Sequence, residues 1–285
     1  MEITASQVNE LRKITGSGMM DCKKALTEAQ GDVKKAIEVL RKKGAAVAAK
    51  RAEKSTNEGI ILAKVSDDKK TAVLVEINCE TDFVANSDDF IKFANYVLDV
   101  VFSSKPASVE ELLKNDELQS KLHEVLAKVG EKIEIKRLTI ENAENGLLID
   151  YIHPGSKLAV LVQFDNVPDD KKEDLTGIAK DIAMQVAAMK PLCIYREEVA
   201  KDTIEAEIDI YKEVARKEGK PEQILEKIAT GKLNKFYQEN CLFEQAYLKE
   251  NSKSVGELIK EFNSKNGTDA KLKLYRRFHL SDEKK

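Results

Sequence analysis

Residues 59–78, GIILAKVSDDKKTAVLVEIN, return without a gap at residues 146–165 as GLLIDYIHPGSKLAVLVQFD. Ala72-Val73-Leu74-Val75 of the first copy stands where Ala159-Val160-Leu161-Val162 stands in the second. Each copy holds two β-rich runs around a polar turn, Ser66–Lys70 or His153–Lys157, and that pattern predicts a hairpin. A helical period follows each copy, through Phe90, Phe93, Val97 and Val101 in one case and Ile178, Ile182 and Val186 in the other. The centre of the chain is therefore expected to be two related strand-strand-helix units, and the fold α+β.

Between the copies, Leu118, Leu122, Val125 and Val129 form one helical stripe, and the alternating run Lys132–Ile140 is a strand able to extend the first sheet. Toward the amino terminus, Thr4 and Gln7 make a capping box ahead of Val8, Leu11 and Ile14, which share one helical face. Gly16-Ser17-Gly18 ends that helix. Met20–Gln30 predicts a second helix, and Asp32 caps a third carrying Val33, Ala36, Ile37 and Leu40. Residues 1–44 thus read as a three-helix bundle, followed by a stretch that begins helical and loses its apolar face as a linker would.

Beyond Pro191, Thr203–Lys217 and Pro221–Asn240 read as two helices joined tightly at Glu218-Gly219-Lys220, with Gly219 stopping the first and Pro221 in the first turn of the second. Ile204, Ile208, Tyr211 and Val214 face Ile224, Ile228 and Phe236 in a coiled-coil-like seam, which serves self-packing or, in addition, a partner. The tail adds a short helix, Val255–Phe262, and a β-like run, Lys271–Phe278. The expected division is 1–54 for bundle and linker, 55–140 and 141–200 for the two core units, 201–240 for the helical hairpin and 241–285 for a small carboxy-terminal module.

The 285 residues are 42% apolar and 34% charged, with no Trp and a net charge of −3. That balance excludes a membrane protein and gives no field that would draw the chain onto nucleic acid. The basic run from Lys42-Lys43 to Lys50-Arg51 and Lys54 is read as a solvated face. The opening residues carry no basic-then-apolar signal, so a cytoplasmic location is expected. Cys22, Cys79, Cys193 and Cys241 lie far apart in sequence and read as buried reduced thiols, without metal-ligand spacing.

No Gly-x-x-x-x-Gly-Lys-Ser/Thr phosphate loop occurs, and Gly16-Ser17-Gly18 between two helices is a helix break. His123 falls among polar positions of a helix and reads as a surface residue. His153 opens the turn of the second hairpin, where exposure and a binding role are both open. Acid pairs such as Asp67-Asp68, Asp88-Asp89 and Asp169-Asp170 sit at turns and helix starts, where capping explains them. No catalytic residue, metal ligand or cofactor is expected.

What remains is Cys79-Glu80-Thr81-Asp82-Phe83-Val84-Ala85-Asn86. Strand alternation puts Val73, Val75, Ile77 and Cys79 on one face, and Asn86 or Ser87 caps the next helix, so Phe83 lies on a connection. A Phe there either folds back into the core or stands out as an interface anchor. On residue patterns alone, a helical adaptor that binds some other protein through its bundle is as far as the reading goes.

Two stretches carry more. Leu11–Leu26, LRKITGSGMMDCKKAL, and Glu76–Asn86, EINCETDFVAN, resemble the two signatures of the elongation factor Ts family. Ala187–Pro191, Glu218–Glu222 and Ser254–Leu258 resemble it too; Gln245-Ala246-Tyr247 departs from a more usual Gln-Pro-Phe, and Leu192–Tyr195 is an uncommon continuation. The resemblance implies a non-enzymatic guanine nucleotide exchange factor of translation, with a ubiquitin-associated-like amino-terminal bundle docking on the G domain of elongation factor Tu. It implies that Thr81, Asp82, Phe83 and Val84 intrude near the partner's Mg²⁺ and phosphate elements. Leu11, Met19, Met20 and Lys23 become candidates for partner binding in the bundle, and His153 faces the partner's third domain. Cofactor, nucleic acid and membrane are not implied, whereas a homodimer or 2:2 complex is left open.

Overall fold

The computed structural model describes residues 3–282. Helices α1 (Ala5–Thr15), α2 (Met19–Glu28) and α3 (Val33–Lys50) enclose a small core of Val8, Leu11, Cys22, Ala25, Leu26, Ala36 and Leu40. The capping box forms as expected, with the Thr4 N–H donating to Gln7 Oε1 and the Gln7 N–H to Thr4 Oγ1. Ile14 departs from the expected inward face: it is 59% exposed, because it borders an open groove with Ile37, Leu40 and Ala127 instead of filling the bundle core, and Gly16 then ends α1 in the left-handed region. α3 runs past the bundle to Lys50, so the stretch after residue 44 begins helical as expected and gives way to turns from Arg51.

Strands β1 (Glu58–Val65) and β2 (Thr71–Cys79) form the first hairpin, followed by the single turn α4 (Asp82–Ala85) and by α5 (Asp88–Ser104). Then come the short α6 (Val109–Leu112), α7 (Asp116–Val129) and β3 (Ile133–Asn142), which pairs with the far side of β2 as expected. Strands β4 (Gly146–Ile152) and β5 (Leu158–Asp165) form the second hairpin, and α8 (Lys172–Met189) covers it. Val73, Val75, Ile77 and Cys79 face α5, while Ala72 and Leu74 on the other face meet Leu148, Ala159 and Leu161 of the second unit.

The repeat is structural as well as sequential. The Ile61 N–H donates to Ser156 O at 2.6 Å, and the matching Leu148 N–H donates to Lys69 O at 2.8 Å. Each hairpin turn thus clasps the first strand of the other unit, as across an isologous interface. Lys69 and Ser156 both take positive φ, 58° and 54°, which aims those carbonyls across the junction. Register shifts fall at matching places, Glu76/Ile77 and Gln163/Phe164, and both bulge residues Glu76 and Gln163 are buried polar groups. Glu76 is held by Arg137 at 2.6 Å and Lys136 at 3.2 Å, whereas Gln163 donates to Asp165 at 2.8 Å.

Helices α9 (Lys201–Lys217) and α10 (Leu225–Asn240) form the hairpin, closed by Gly219 at φ 76°. Pro221 is not in the first turn of α10; it is extended and precedes a 3-10 turn, Glu222–Ile224. The seam also differs from expectation. Ile204, Ile208, Tyr211, Ile228 and Phe236 are half-buried along it, but Val214 and Ile224 are exposed near the hairpin's end, and the buried positions are Ala215, Leu225, Ala229 and Tyr237. At the hairpin's base, Cys193 and Cys241 bring their sulfurs to 3.6 Å.

Strands β6 (Ala246–Tyr247) and β7 (Glu250–Ser254) lead into α11 (Val255–Asn266) and β8 (Lys271–His279). β8 pairs with β5, so the carboxy-terminal segment supplies the third strand of the second sheet, where β3 supplies that of the first. A boundary at 241 therefore cuts through a sheet.

Gly59 and Gly146 occupy equivalent strand starts, and a Cβ there would lie 2.2 Å from Ile77 O and 1.8 Å from Phe164 O. Backbone in a paired strand cannot retreat. Gly146→Ala should therefore lower stability by about 2 kcal/mol or more, seen as a lower denaturant midpoint at unchanged slope. Gly59→Ala should cost at least as much, since Gly59 also has φ 148°.

Candidate functional site

The stretch Thr81–Val84 forms the amino-terminal part of the one-turn helix α4, set between β2 and α5. A single turn has little helical stability of its own, so its shape depends on what caps and braces it. Thr81 is extended at φ −126° and caps α4 by accepting from the Val84 N–H. Its own N–H and hydroxyl both donate to the Glu131 carboxylate, at 3.1 and 2.8 Å. Glu131 is aimed there because Gly130, at φ 71°, ends α7 just before it.

A second carboxylate works in the opposite direction. Glu80 accepts from the Lys132 N–H at 2.6 Å and from Arg51 at 2.6 Å. Residues 80–81 and 131–132 thus brace each other through two crossed sets of charge-assisted hydrogen bonds. Ala85 is buried and anchors the other end of the turn, and Ser87 closes it by donating to Val84 O and capping α5 at Phe90.

On this braced turn Phe83 is 85% exposed, the most exposed of the large apolar side chains described. The choice between a core Phe and an outward one is settled by geometry: Val84 and Ala85 turn inward, so Phe83 on the opposite side of a single turn has no core to reach. Asp82 is exposed beside it.

His153 is also exposed, in the β4–β5 turn, with its Nδ1 2.8 Å from the Tyr151 hydroxyl. That turn lies at the same end of the core as the tip. Lys157 pairs with Glu58 at 2.7 Å, Glu58 is the register partner of Cys79, and the Lys157 amine is raised chiefly by Glu58 and more weakly by Asp82.

In the bundle, Met19 and Met20 are 55% and 63% exposed and Lys23 is exposed, a patch just after the Gly16–Gly18 break; Ile14, just before it, borders a groove with Ile37, Leu40 and Ala127. Leu11 is fully buried, so it supports that patch from within and offers no side chain to a partner. His123 is half-buried rather than on the surface, because α7 carries it against α3. Glu131 escaped the sequence reading, Lys132 was read only as the start of a strand, and Arg51, read as part of a solvated face, pairs with Glu80 instead; Gly130 at the end of the α7 stripe was the signal that the next residue is turned out of the helix.

Among the described residues, no cluster of His, Cys, Asp and Glu is arranged to hold a metal ion, and no helix is long and apolar enough to cross a membrane. The Cys79 thiol donates to Thr81 O and is pushed up to about 12 by burial, with Glu131 adding to it. It is a packing thiol rather than a nucleophile.

A family model described as elongation factor TS matches residues 80–282. The chain is 44% identical over 287 residues to the elongation factor Ts of Chlorobaculum parvum, covering 98% of this chain and 99% of that one. It is 41% identical to that of Chloroherpeton thalassium, covering 99% of each, and 42% identical to that of Clostridium botulinum, covering 98% and 93%.

The brace makes two expectations concrete. Iodoacetamide at pH 8 should leave Cys79 unmodified in the native protein and label it on unfolding, as peptide mass spectrometry would show. Burial opposes ionisation of the Glu80 carboxyl, but the Lys132 N–H and Arg51 outweigh it, with Lys54 adding, and hold it below its ordinary value of 4.5. Its stabilisation is therefore complete above pH 4.5 and lost as pH falls through the lower native value. Glu80→Gln should flatten that part of the stability–pH curve.

Proposed function

Because the chain belongs to the elongation factor Ts family, we propose that it is a guanine nucleotide exchange factor that binds elongation factor Tu in its GDP form and promotes release of Mg²⁺ and GDP. Such a factor makes and breaks no bond. It binds the nucleotide-free partner more tightly than the GDP form, and by linkage weakens GDP by the same factor, each tenfold corresponding to about 1.4 kcal/mol. GDP is held largely through its phosphates and Mg²⁺, so disturbing the ion or the loop around it removes much of the affinity.

The observation that carries this reading is an exposed Phe83 on a turn braced from behind. Burying such a ring in a partner's pocket is worth about 2–3 kcal/mol, and that energy is available only when the pocket opens. Thr81 and Val84 shape the turn, and Asp82 places a carboxylate next to the ring, where it competes for polar ligation near the partner's cation.

In the same reading, the three amino-terminal helices are the ubiquitin-associated-like module, docking on the G domain through Ile14, Met19 and Met20 with Lys23 at the rim. Leu11 holds that surface in shape. His153, at the tip's end of the core, faces the third domain. After GDP leaves, the complex persists until GTP binds, and the exchange takes place in the cytoplasm.

The test is release of a fluorescent GDP analogue from elongation factor Tu in stopped flow. The chain should accelerate release at substoichiometric amounts, and Phe83→Ala should lower the maximal rate by at least tenfold while changing its own stability by no more than about 0.5 kcal/mol. Unchanged release by Phe83→Ala would remove the wedge; tight binding without acceleration would leave an adaptor.

A further inference from the structure

We propose that α3 is a rigid strut that fixes the amino-terminal bundle against the tip, with Gly44 and Arg51 as its positioning residues. The inference rests on the exchange reading for its functional consequence and on geometry for the strut itself.

α3 has 18 residues, about 27 Å at 1.5 Å per residue. Its first half belongs to the bundle through Ala36 and Leu40. Its middle crosses α7 at Gly44, where a Cβ would lie 1.9 Å from His123 O and 2.7 Å from His123 C. Those are backbone atoms, so only glycine permits the approach. Glycine is a poor choice for a helix interior on propensity, and the crossing is what accounts for it. Arg41 and Glu124 pair at 3.0 Å beside it.

The far end of α3 reaches the tip itself. Arg51 pairs at 2.6 Å with Glu80, the residue before Thr81, and Lys132 Nζ donates to Ala52 O and Lys54 O just after the helix. Beside it the Lys128 side chain lies close over Gly16, so that a Cβ there would be 2.8 Å from its ammonium, and it pairs at 3.0 Å with Asp89 in the first turn of α5. The bundle patch of Met19 and Met20, the exposed Ile14 and the exposed Phe83 therefore belong to one body. A partner that engages the patch meets the tip at a set offset, without the ordering cost of a loose tether.

Breaking the strut should weaken productive docking and leave nucleotide release from the docked state intact. Gly44→Ala inserts a methyl against the His123 backbone while favouring the helix. Two measurements read it. The first is the distance distribution between spin labels at Lys24→Cys and Lys114→Cys, in full-length protein with Cys193→Ser because the other thiols are buried. The second is GDP-analogue release from elongation factor Tu against factor concentration.

The expected result is one narrow distance that broadens in Gly44→Ala, with the half-saturating concentration raised at least tenfold and the plateau rate within twofold. Arg51→Gln, whose side chain takes no part in the crossing, should raise half-saturation about threefold, and Arg51→Lys should restore most of it. A distance that stays narrow in Gly44→Ala overturns the strut. So does broadening without a change in half-saturation, or a plateau that falls while half-saturation holds. If the unmodified chain does not accelerate release, the exchange reading fails, and the distance measurement still decides the strut.

Discussion

Two reciprocal backbone hydrogen bonds hold the core together: Ile61 to Ser156 and Leu148 to Lys69. Each takes a carbonyl from a hairpin turn that must adopt positive φ to present it, and each turn is clasped by the unit it does not belong to. Around them lies a small apolar contact of matched residues, Ile61, Ala72 and Leu74 against Leu148, Ala159 and Leu161. The two sheets are joined here, and so are the two ends of the candidate site. Because the second turn is fixed on β1, His153 and Lys157 stand next to Glu58 and the tip rather than at the far end of the molecule.

The tip shows how a protein exposes a large apolar side chain without letting it collapse. A one-turn helix is marginal by itself, and a Phe on it would otherwise gain by folding back onto nearby apolar surface. Thr81 prevents that by filling three roles at once: it caps the turn, and it donates its N–H and hydroxyl to Glu131. Glu80 adds the reverse brace to Lys132 and Arg51. Both carboxylates are partly desolvated, and their hydrogen bonds offset that cost. Rigidity at the base makes the exposed ring usable as an anchor, since little freedom is lost when it is buried in a partner.

Much of the fold was legible because it is written in short-range pattern. The duplicated hairpins, the capping box at Thr4 and Gln7, the Gly16 and Gly219 helix ends and the inward faces of α5 and β2 all follow from neighbours a few residues apart. Where pattern misled, a distant segment had taken over. Ile14 continues the α1 stripe but borders an open groove against α7; Val214 and Ile224 continue a seam whose buried positions are Ala215, Leu225, Ala229 and Tyr237. β8 looked like part of a separate tail until its pairing with β5 placed it in the second sheet.

By itself the sequence determined the strand-strand-helix repeat, the amino-terminal helices and, through LRKITGSGMMDCKKAL and EINCETDFVAN, the family. Those rest on local periodicity and on motifs long enough to be specific. Tertiary structure alone decided that Glu131 braces Thr81 and so holds the turn that carries Phe83, and that Gly44 is the point where α3 crosses α7. Each of those depends on groups dozens of positions apart, whose meeting no local period encodes; they come together only when the chain closes on itself.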